Sequence, residues 1–66
     1  MAAFKEAVEK VRKAGTGNAR VVPITGTKEV KLEINTGGNW ITIMRGIDSR
    51  IAEDVIRQAS NRLILG

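Results

Sequence analysis

Between Lys28 and Asn35 polar and apolar residues alternate, with Val30, Leu32 and Ile34 on one side and Glu29, Lys31 and Glu33 on the other. That two-residue period predicts a half-buried strand. Gly37-Gly38 follows and suits a two-residue type I′ turn, which fixes the pairing with a second alternating run. In that register Ile34 faces Ile41 and Leu32 faces Ile43 on the core side. Asn35 faces Trp40, Glu33 faces Thr42 and Lys31 faces Met44 on the reverse side. Gly46 is expected to end the strand. Asp48 is a good helix N-cap for a run in which the period changes. Ile51, Val55, Ala59 and Leu63, with Ala52 and Ile56 beside them, make an apolar stripe, and Arg50, Glu53, Asp54, Arg57 and Asn61 take the solvent side. Ile64 and Leu65 fall off that stripe.

Upstream, Phe4, Ala7, Val8, Val11 and Ala14 stand at helical spacing, and Gly15 suits the C-terminal cap of a helix from about Ala3 to Ala14. Glu6–Lys10, Glu9–Lys13 and Glu53–Arg57 are i,i+4 pairs in the favourable order. Gly15 to Asn18 reads as a loop and Arg20 to Thr25 as a short strand, which Pro23 confines to a sheet edge. The expected architecture is α+β, in the order α-β-β-β-α. Its sheet is a three-stranded antiparallel meander with both helices packed on one face. Residues 1–66 are expected to form a single small domain.

So short a chain is near the lower limit for a self-sufficient core. It has no cysteine or histidine, so disulfides and Cys/His zinc sites cannot reinforce that core. Self-association, as a homodimer, is the expected remedy. Eleven Lys/Arg against seven Asp/Glu give a net charge of +4, which favours encounters with nucleic acid or an acidic protein partner. No apolar run approaches the ~20 residues of a membrane span, and Lys5, Glu6, Glu9 and Lys10 interrupt residues 1–14. An intracellular, cytoplasmic protein with no membrane partner is expected.

Without His, Cys or Tyr, the usual proton shuttles and activated nucleophiles are missing. Neither catalytic residues, nor a metal site, nor a cofactor is expected. Gly15-Thr16-Gly17-Asn18 follows a helix and precedes a strand, the wrong order for a phosphate-cradling loop. Two groups are left. Lys10, Arg12 and Lys13 close the first helix, where its dipole favours cations, and Arg20 opens the adjoining strand. Lys31 and Arg45 are secondary cations. On the sheet face away from the helices, Trp40 and Met44 suggest a partner contact, which Ile64 and Leu65 would extend.

The element order and length are similar to those of the double-stranded-RNA-binding domain, which also packs two helices on one face of a three-stranded sheet. That resemblance implies a lysine-rich start to the second helix, docking on phosphates. The matching stretch here is Ser49-Arg50-Ile51-Ala52-Glu53-Asp54, one cation followed by two acids, so it lacks the residues that would carry that contact. The expected function is a non-catalytic basic module that self-associates and binds nucleic acid through phosphate contacts. The alternative is a protein-binding accessory, inhibitor or assembly subunit, of the kind found in phages and mobile elements, using the Trp40 face.

Overall fold

Helix α1 (Ala2–Ala14) forms where the helical apolar spacing predicts it, and its last turn closes with the Gly15 amide bonded to the Val11 carbonyl at 2.8 Å. The computed structural model describes residues 2–60, with side chains from residue 3 onward. A single 3₁₀ turn (Thr16–Asn18) leads into β1 (Ala19–Pro23), β2 (Val30–Thr36), β3 (Asn39–Ile47) and α2 (Ser49–Ser60). The three strands form one antiparallel sheet in the order β1-β2-β3, and both helices pack on one face of it.

The diglycine turn has φ values of +60° at Gly37 and +88° at Gly38, both left-handed as a type I′ turn requires. The predicted register holds from there to Glu33: Asn35 faces Trp40, Ile34 faces Ile41 and Glu33 faces Thr42. Beyond Glu33 it departs. Leu32 faces Met44 rather than Ile43, and Lys31 faces Arg45 rather than Met44. Ile43 is the extra residue of a β-bulge, which seats two successive side chains on the same side of the sheet. Ile43 and Met44 accordingly both pack against the core, so Met44 does not lie on the open face as expected. A second irregularity lies at Gly46, φ +69°, which does not end β3 but lets it run on to Ile47 opposite Val30.

Strand β1 starts opposite Ile34 and ends with Pro23 opposite Val30, so α1 must finish at the hairpin-tip end of the sheet. Helix α2 starts at the other end, after Ile47, and runs back. Its Gln58 carbonyl accepts a 3.3 Å hydrogen bond from the Arg12 guanidinium near the end of α1. The two helices therefore point the same way.

The core joins Ala7, Val8 and Val11 of α1 to Val30, Leu32 and Ile34 of β2 and to Ala52, Val55 and Ala59 of α2. The buried stripe of α2 is thus centred on Ala52, and Ile51, expected within it, is 40% exposed. Of the predicted i,i+4 ion pairs none forms; Arg57 pairs instead with Asp54, one turn back. Asp48 does cap α2, accepting the Arg50 amide at 2.7 Å. That bond is the main reason its carboxyl titrates below the ordinary 3.8. Leu63, Ile64 and Leu65 lie outside the described residues.

Candidate functional site: a lysine-rimmed groove and an arginine-capped tryptophan

The last turn of α1 and the tip of the β2–β3 hairpin enclose an open groove of about 580 Å³. Its apolar lining comes from Ala14, Ile34 and Ile41, and Lys10, Lys13 and Asn18 stand around it with residues 35–37 of the hairpin. Lys10 and Lys13 are one helical turn apart, so both reach the same side of α1. Among the described residues neither has a carboxylate within ion-pairing distance. The Asn18 side-chain amide donates to the Ala14 carbonyl at 2.7 Å, satisfying an end-of-helix acceptor. The Asn35 carboxamide oxygen accepts the Gly38 amide at 3.2 Å. Arg12 lies round the helix, where it shares a smaller hollow of about 240 Å³ with Glu9 and Lys13.

The opposite face of the sheet carries a network centred on Glu33. This residue is only 6% exposed, and a buried carboxylate needs partners for both oxygens. Arg20 Nε donates to Oε1 at 2.7 Å, while Lys31 Nζ (3.2 Å) and Thr42 Oγ1 (3.4 Å) approach Oε2. The Arg20 hydrogen bond is the largest influence holding the Glu33 carboxyl below its ordinary 4.5, against the opposing effect of burial. The same guanidinium lies 4.0 Å from the centre of the Trp40 ring, a cation–π contact. One side chain thus ties the edge strand β1 to Glu33 on β2 and Trp40 on β3. Two cations around one carboxylate leave this patch positive, with Arg45 opposite Lys31 adding to it.

The predicted basic cluster is therefore split. Lys10, Arg12 and Lys13 stay together at the end of α1, while Arg20 projects from the other side of the sheet, because Ala19 and Val21 take the core side of β1. Lys31 and Arg45 belong with Arg20. Trp40 is on the open face as expected and 38% exposed, but one side of its indole is already covered by arginine. Glu33 and the groove residues Asn18 and Ile41 were not anticipated. Opposite charges at Arg20 and Glu33 were the available signal, and only the β1–β2 register, set by an irregular turn at 24–29, makes them neighbours. The chain matches no protein-family model, no curated protein and no solved structure. Among the described residues no helix is long and apolar enough to cross a membrane.

Proposed function

We propose that the chain is a non-catalytic basic module that contacts the phosphate backbone of a nucleic acid from the end of α1 and works as a self-associated pair. The observation that carries this reading is the juxtaposition of Lys10 and Lys13, both without an acidic partner among the described residues, on one open groove. Ammonium groups held beside a groove and not neutralised internally release counterions from a polyanion when they bind it. Arg12 extends the contact. Arg20 and Lys31 are spent on Glu33, so they contribute to the general field and not to the primary contact.

Anisotropy of a labelled oligonucleotide, titrated at several salt concentrations, tests the reading. For duplex DNA the slope of log K against log salt changes by about 0.9 per phosphate contact. Lys10→Gln with Lys13→Gln is expected to flatten the slope by about 2 on that scale. Affinity that stays constant as salt rises rejects the reading.

The protein-binding alternative has its own support in the half-exposed Trp40, with the Arg20 guanidinium over one side of its ring. Trp40→Ala separates the two. Partner capture lost with nucleic-acid affinity intact favours the alternative.

A further inference from the structure

The two margins of the sheet are unequal. β1 is five residues long, ends in Pro23 and presents the exposed Arg20. β3 is nine residues long and pairs with β2 alone among the described residues. Natural edge strands are protected by charge, proline, shortness or bulges. The bulges of β3 lie beyond Thr42, and residues 39–43, Asn-Trp-Ile-Thr-Ile, carry no charge at all. Among the described residues, two of the three exposed large apolar side chains, Trp40 and Ile41 (45%), fall in this stretch.

The hydrogen-bond alternation is also suitable. A two-residue turn is closed by a hydrogen-bonded pair, here Thr36 with Asn39, and hydrogen-bonded pairs then alternate with non-bonded ones. Ile41 accordingly spends its backbone groups on Ile34, and Trp40 and Thr42 direct their N–H and C=O groups away from β2.

We infer that two copies join antiparallel along β3, with Ile41 against Ile41 on the two-fold axis and each Trp40 hydrogen-bonded to the other copy's Thr42, making a six-stranded sheet. The exposed Ile41 side chains then cover each other in a non-hydrogen-bonded pair, where side chains approach most closely. A copy carrying +4 meets its twin along the stretch where no charge opposes the approach. Because Ile41 also lines the groove, the two grooves adjoin across the axis and bring both sets of Lys10 and Lys13 to one side. This rests on the self-association proposed above and specifies its geometry.

The test uses protein without nucleic acid. Light scattering across a concentration series is expected to show a monomer–dimer equilibrium that tightens as added salt screens the lysines. The chain has no cysteine, so Ile41→Cys is expected to oxidise to a covalent dimer, whereas Lys5→Cys on α1 does not. Thr42→Pro removes an outward amide and leaves the β2 ladder intact, and it is expected to be monomeric with an unchanged circular dichroism spectrum. If Thr42→Pro unfolds, the cysteine pair decides. A protein monomeric up to millimolar concentration overturns the inference, as does a dimer that neither cross-links at Ile41→Cys nor dissociates in a folded Thr42→Pro. Salt-dependent oligonucleotide binding by a monomer would leave the phosphate reading standing alone. Dimerisation with no such binding would leave this inference standing without it.

Discussion

Glu33 shows how one buried charge organises a surface. Its carboxylate is reached from both flanking strands and from Lys31 on its own. The folded state therefore holds it ionised more strongly than the unfolded chain does. Glu33 and Asp48 both titrate below their ordinary values of 4.5 and 3.8. As pH falls, the unfolded chain takes up protons first, so the stability these groups contribute is complete above those values and drains away below them. The urea midpoint is expected to be level near neutrality and to fall below about pH 4.5. Glu33→Gln is expected to flatten that fall and lower the midpoint at neutral pH. An unchanged acid limb in the variant would show that Glu33 does not contribute to it. Arg20 and Trp40 are expected to couple by about 0.5–1 kcal/mol in a double-mutant cycle with Arg20→Gln and Trp40→Leu. Trp40 is the sole tryptophan, so the shift of its fluorescence in Arg20→Gln reads out the loss of the covering guanidinium directly.

At the level of elements, the turn and the bulges set the sheet's accuracy. Gly37 sits at φ +60°, which asparagine adopts readily. Gly37→Asn is expected to raise stability by a few tenths of a kcal/mol by restricting the unfolded chain. Gly46→Ala forces a Cβ into the left-handed region at φ +69° and is expected to cost about 1–2 kcal/mol, measured by thermal or urea unfolding. How much could be read from residue order follows the same division. The alternation on either side of Gly37-Gly38 specified the register near the turn, because a single step out of phase would send Ile34 and Ile41 to opposite faces. The bulge at Ile43 was not legible. Ile43 and Met44 are both apolar, so no polar residue marks where alternation breaks. The position of Arg20 was hidden for another reason. The link between β1 and β2 is a hydrogen-bonded turn at 24–27, with Thr27 bonded to Ile24, followed by an irregular return to Glu29. Without its length, the face that Arg20 takes is undetermined. Lys10 and Lys13 were found correctly as neighbours, since helical spacing alone puts them on one side of α1.

For the molecule as a whole, a core of this size leaves little margin. Leu32 is fully buried beneath both helices, and Leu32→Ala is expected to cost about 2–5 kcal/mol. At ~0.05–0.15 kcal/mol per residue, that is a large share of all the stability such a chain has, so the variant is expected to be substantially unfolded at room temperature by circular dichroism. Parallel helices also set the charge pattern. Both negative dipole ends lie at the hairpin-tip end of the sheet, where Arg12, Lys13 and Arg57 occupy the last turns. The groove opens at that same end, with Lys10 and Lys13 beside it.

Pro23 sets a limit on the pair proposed above. A fibril needs two receptive margins per subunit, one to accept a neighbour and one to offer the next. Here β1 is short, lacks an amide hydrogen at Pro23 and presents the charged Arg20, so the outer rims of the proposed six-stranded sheet are poor templates for a further copy. Concentrated solutions are therefore expected to stop at pairs and stay clear, with no thioflavin signal. Replacing Pro23 with valine is expected to weaken that protection, with Arg20 and the strand's shortness still opposing growth.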